Sequence, residues 1–129
     1  MKVFKVDVYG DSTGVIEIED KLEDFYREIK TDVIDIVVRY IDGQEFDIVC
    51  DDEGLLKDKP RVSAMDGGFK PMLVGNLLIA HHDDEGNLTG ISEEDSSLLM
   101  FHTMRVVMKD KSENDVLYGC EYYPEEEDE

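Results

Sequence analysis

Residues 33–50 read VIDIVVRYIDGQEFDIVC, and this stretch decides the fold. Residues 33–41 are rich in Val, Ile and Tyr, side chains that suit a half-buried pleated surface. Asp42-Gly43 follows, a pair that tolerates positive φ at both centres of a tight turn. Phe46 to Cys50 then returns as a second apolar run. The stretch predicts a β-hairpin within a sheet.

Upstream, residues 3–9 alternate. Val3, Lys5, Asp7 and Tyr9 point one way and Phe4, Val6 and Val8 the other. The turn GDSTG at 10–14 joins them to a second strand at 15–18. Residues 19–30 change period. Leu22, Phe25, Tyr26 and Ile29 form one helical stripe, with Glu19, Asp20, Glu23 and Asp24 at its start and Arg27 and Lys30 at its end. That charge order suits a helix dipole.

Downstream, residues 55–71 are expected to be an ordered loop packed by Leu55, Leu56, Val62, Met65 and Phe69. Residues 72–81, interrupted at Gly75-Asn76, predict a buried strand, and 82–90 a polar turn. Ser92-Glu93-Glu94-Asp95 starts a second helix, Ser with an acid three residues on. That helix either ends near His102 or runs on to Lys109. A last strand is expected at 116–123. The fold expected is α+β: one domain over 1–123, an antiparallel or mixed sheet of about five to seven strands with two helices on one face. Residues 124–129 are expected to form a disordered acidic tail.

Charge is the strongest functional signal. The chain carries 33 Asp and Glu against 13 Lys and Arg, a net charge of -20 in 129 residues. Such an excess costs stability through self-repulsion. Of the 33 acids, 28 precede Pro124, so the excess belongs to the domain and not to the tail. It opposes direct binding to nucleic acid or anionic membranes and favours basic partners. No apolar run reaches the roughly 18–20 residues of a membrane span. The N-terminus lacks an apolar signal region, so a cytoplasmic location is expected, with Cys50 and Cys120 as reduced thiols.

The acids cluster at Glu17 to Asp24, Asp51 to Glu53, Asp83 to Glu85 and Glu93 to Asp95. HHDDEG at 81–86 puts His first and Ser92 twelfth, and DDEG at 51–54 has its Gly too early, so neither fits a calcium loop. His81 and His82 are adjacent, so on a strand they point to opposite faces and do not share a metal. No serine sits in a nucleophile elbow, and GDSTG lacks the Lys of a phosphate loop. A catalytic role, a metal and a cofactor are therefore not expected. Tyr122-Tyr123, ahead of the tail, reads as core or as an exposed anchor.

The run FDIVCDDEGLL at 46–56, Pro60, Ala64, PMLVGNLLI at 71–79 and LTGIS at 88–92 resembles a family of small bacterial, phage and conjugative-element proteins, catalogued as a domain of unknown function. The resemblance covers about residues 1–100. It implies no catalytic or binding residues. It does imply a mobile-element setting, where small acidic proteins block host defence nucleases.

Together these readings predict a protein that inhibits a basic, nucleic-acid-binding host defence protein, a restriction or RNA-guided nuclease, by imitating nucleic-acid charge. The partner-binding residues expected are Glu19, Asp20, Glu23, Asp24, Asp83, Asp84, Glu85, Glu93, Glu94 and Asp95. The alternative is a structural or scaffold interaction module, with homodimer formation through exposed strand edges.

Overall fold

A computed structural model describes residues 1–57 and 59–122. The expected tail at 124–129 and Tyr123 lie outside the described residues. The chain runs β1 (Lys2–Val6), β2 (Gly14–Glu17), α1 (Leu22–Ile29), β3 (Ile34–Ile41), β4 (Gln44–Asp51), a 3-10 turn (Gly54–Leu56), β5 (Val62–Met65) and β6 (Pro71–Val74). It continues through β7 (Leu77–His82), β8 (Leu88–Thr89), α2 (Glu93–Phe101), β9 (Thr103–Val107), β10 (Glu113–Tyr118) and β11 (Cys120–Glu121).

The central hairpin forms as the sequence predicts. β3 and β4 pair antiparallel from Ile34↔Asp51 to Ile41↔Gln44. Asp42 and Gly43 close the turn with φ of 52° and 77°. Beyond the hairpin, the expected architecture of one sheet with two helices on one face is wrong. The described residues are 45% strand and 17% helix, so the fold is mainly β. They form two sheets. The larger has the order β11-β3-β4-β7-β1-β2, with β8 paired to β7; the smaller has the order β6-β5-β10-β9.

The physical reason lies in β1, β4 and β7, which are apolar on both faces. Phe4, Val6, Phe46, Ile48, Leu77 and Ile79 enter one core with Leu99 of α2 and Ala64 and Leu117 of the smaller sheet. Val3, Val49, Leu78 and Ala80 enter a second core with Phe25 and Ile29 of α1. A sheet buried on both sides needs two covers. So α1 covers one face, and α2 with the smaller sheet covers the other.

One segment differs from its expected form, and for another the structure decides between two expected alternatives, the helix ending near His102. The expected loop at 55–71 contains β5 and the start of β6. Its Ala64 pairs in parallel with Leu117, and its outer neighbour β6 is reached through register shifts. Residues 103–107 are strand, and α2 ends at Phe101. Cys50 lies opposite Asp35 and Cys120 opposite Ile41, six residues further along β3. At the rise of a strand, that separation is about 20 Å. Both cysteines are free and buried.

Candidate partner-binding surface

The ten predicted acids lie on three elements, and strand register fixes where each element ends. β7 follows the buried Asn76 and ends at His82, with Ile79 opposite Phe4 and Ile48. Lys2, Glu17 and Glu45 therefore lie toward the same end of the larger sheet as His82. The turn carrying Asp83, Asp84 and Glu85 links β7 to β8 at that end, where His82 pairs with Leu88.

Both helices begin there too. The Asn76 side chain donates to the Glu28 carbonyl at 3.0 Å, which holds the last turn of α1 at the opposite end of β7. The first turn of α1, with Glu23 and Asp24, points back toward His82, and Glu19 and Asp20 precede it. On the other face, α2 opens beside His81, whose Nε2 is 2.9 Å from Asp95 Oδ2. The Ile91 N–H also donates to the Lys2 carbonyl at 2.9 Å. Thus all ten acids gather around one end of the larger sheet, although their helices lie on opposite faces.

Three of the ten have local structural work. Asp24 accepts the Glu19 N–H at 2.8 Å and Arg27 Nη1 at 3.1 Å. The Glu19 N–H, then Arg27, hold its carboxyl below the usual range. Asp83 accepts the N–H groups of Asn87 at 2.9 Å and Glu85 at 3.0 Å. Those bonds lower its carboxyl, that of Asn87 most. Asp95 completes the capping box of α2: its carboxylate accepts the Ser92 N–H at 2.9 Å, and its own N–H donates to Ser92 Oγ at 3.1 Å. Burial pushes Asp95 up, but Ser92 and His81 outweigh it and the net shift is down. Glu19 pairs with Lys21. Among the described residues, the carboxylates of Asp20, Glu23, Asp84, Glu85, Glu93 and Glu94 accept no hydrogen bond and pair with no cation.

The sequence reading missed the β3–β4 contribution to this end. Asp42 sits in the turn, and Glu45 and Asp47 flank His82. His82 Nδ1 donates to Asp47 Oδ2 at 2.6 Å, with Glu45 3.9 Å from Nε2. That bond to Asp47, then the Asp47 and Glu45 charges, raise the His82 pKa. The Asp42-Gly43 turn was visible in the sequence; its neighbourhood with Asp83 depended on β4 pairing with β7. His81 turns to Phe46, with ring centroids 4.9 Å apart. Adjacent histidines thus face opposite sides of the sheet. Among the described residues no three His, Cys, Asp or Glu side chains come together as metal ligands. The surface that results is a rim of carboxyl groups around a sheet end, suited to meeting fixed positive charge.

No helix among the described residues is long and apolar enough to cross a membrane. Residues 1–105 match a sequence family described as "Domain of unknown function (DUF3846)", a span that includes all ten acids and ends within β9. No curated protein matches, and no solved structure does.

Proposed function

The chain belongs to this family of unknown function, which brings no activity with it, and from the chain's own surface we propose that it is an acidic binding protein. Its acidic end docks on the basic groove of a nucleic-acid-binding protein, in the manner of nucleic-acid charge. A host defence nuclease of restriction or RNA-guided type has such a groove, and the encounter takes place in the host cytoplasm. The protein binds and does not catalyse. One observation carries the reading: three acid clusters, separate in sequence, converge with the Asp42 hairpin at one end of a rigid sheet. Rigid display matters, because preorganised charges lose little entropy on binding.

The test is a fourfold reversal, Glu23→Lys, Asp84→Lys, Glu85→Lys and Glu93→Lys. These positions are chosen because their carboxylates close no turn and cap no helix. Partner capture from a host lysate is compared at low and high salt, with circular dichroism to confirm the fold. The expected result is a salt-released, nucleic-acid-binding partner that the variant loses by about tenfold or more, mainly through slower association. Unchanged capture by the folded variant overturns the reading.

A second reading, a structural or scaffold interaction module, is favoured by exposed apolar side chains such as Leu56 at 82% and Phe101 at 84% exposure. A partner held through these resists salt, so the same experiment separates the two.

A further inference from the structure

We infer that β9 is a self-association edge, through which two copies of this chain pair antiparallel about a two-fold axis. The inference is independent of the acidic end. It starts from how the fold treats its strand edges. An open edge offers unpaired N–H and C=O groups, and proteins guard such edges with short strands, prolines, bulges or charge. Among the described residues five strands have an open side: β11, β2, β6, β9 and the two-residue β8, which pairs only with β7. β11 has two residues. β6 begins with Pro71 and meets β5 through two register shifts. β2 has four residues, ends in Glu17 and runs into Glu19 and Asp20.

Of these guards β9 has one, the charge of Arg105, which Asp115 partly neutralises. Its five residues, TMRVV, pair with β10 in unbroken register from Val107↔Glu113 to Thr103↔Leu117. It contains no Pro, Gly or acid. Among the described residues, its other side pairs with no strand. Its margin is apolar and exposed: Met100 at 50%, Phe101 at 84%, Met104 at 38% and Val107 at 63%.

Charge names the occupant. In a chain of net charge -20, a second copy can approach only where acid is sparse. Residues 54–74 and 96–118, which contain every strand of the smaller sheet, hold seven of the 13 Lys and Arg but only five of the 33 Asp and Glu. Residues 96–109 hold no acid at all. An antiparallel pairing centred on Arg105 sets this acid-free segment against itself, with Met104 opposite Val106 of the second copy. The two Arg105 side chains then face each other, and each already has two carboxylates, Asp115 Oδ1 at 3.4 Å and the exposed Asp11 Oδ1 at 4.0 Å, which offset their mutual repulsion. The acidic ends remain outside the junction. The dimer thus displays two of them, a form suited to a two-fold partner.

The experiment is sedimentation equilibrium of the full chain from about 5 to 500 μM, at low salt and in 0.5 M NaCl. A junction of two five-residue strands lies at the small end of specific interfaces, so micromolar dissociation is expected. The mass should rise from 14.8 kDa toward twice that value. Added salt should strengthen the association, because it screens the repulsion between two anionic chains. A triple variant, Phe101→Glu, Met104→Glu and Val107→Glu, changes only exposed side chains. It should stay monomeric at 500 μM with an unchanged circular dichroism spectrum. Hydrogen exchange of the wild type gives a second readout: β9 amides should become more protected as concentration rises. A wild type that is monomeric at 500 μM in 0.5 M NaCl overturns the inference. So does a dimer that the folded triple variant retains, or concentration-independent exchange at β9.

Discussion

Asn76→Ala should cost this protein about 2–6 kcal/mol, a figure that follows from two bonds. Asn76 is fully buried. Its Oδ1 accepts the Val8 N–H at 2.9 Å, and its Nδ2 donates to the Glu28 carbonyl at 3.0 Å. One amide therefore ties the chain after β1 to the last turn of α1. Alanine has neither group and leaves the buried Val8 N–H and the part-buried Glu28 carbonyl without their bonds. Each costs about 1–3 kcal/mol. Native domains are stable by only about 5–15 kcal/mol, so the variant loses a large fraction of the total. Urea unfolding followed by circular dichroism measures it, with an unchanged m-value as the check on two-state behaviour.

Asn76→Asp separates hydrogen bonding from cavity formation. A carboxylate still accepts from Val8 but puts a buried negative charge against the Glu28 carbonyl. Protonation relieves that repulsion and supplies a donor. This Asp therefore binds its proton more tightly when folded, and the variant should gain stability relative to wild type as pH falls from 7 to 5. A loss below about 1 kcal/mol for Asn76→Ala, or a pH-independent deficit for Asn76→Asp, would refute the argument that this amide joins β1 to α1.

Other outcomes are cheaper to check. Ser92→Ala should lower stability by about 1 kcal/mol by removing the cap of α2, while Glu93→Gln should do almost nothing; thermal melts of the two variants compare them. The His82 pKa is raised above 6.5 by Asp47, so the pair stabilises the fold fully below about pH 6.5 and loses that contribution as pH rises through the folded value. An NMR titration should show the raised midpoint in wild type and its return toward 6.5 in Asp47→Asn. Burial pushes the Cys50 thiol to about 11 and the Cys120 thiol to about 12. At pH 8 neither should react with a disulfide reagent until denaturant is added, and rapid labelling of either native thiol would contradict their burial.

Local features were legible in the sequence because local chemistry sets them. Asp42-Gly43 supplies its own positive φ values, and Ser92 with Asp95 closes its own cap over three residues. The stripe of Leu22, Phe25, Tyr26 and Ile29 yields a helix, though a shorter one than the charges around it suggest. The smaller sheet was not legible. β5 has only four residues, and its parallel partner β10 lies some fifty residues away (Ala64↔Leu117), so no local periodicity announces it. The opposite-face placement of the helices left a trace in the run read as a buried strand. Leu77 to Ala80 is a continuous apolar run, and such runs mark strands buried on both faces.

For the candidate surface, the division is similar. That the protein is strongly anionic, with its acids clustered at turns and helix starts, was readable from the residues alone, because composition and caps are properties of short segments. That Glu19 to Asp24, Asp83 to Glu85 and Glu93 to Asp95 surround one sheet end is a product of strand pairing. So is the arrival there of Asp42, Glu45 and Asp47, and the open edge that the acid-free segment at 96–109 supplies elsewhere. Those placements follow from β7 pairing between β4 and β1, and β10 between β5 and β9. Strand order is set by which apolar faces can be buried together over long sequence separations, and no window of neighbouring residues contains that information.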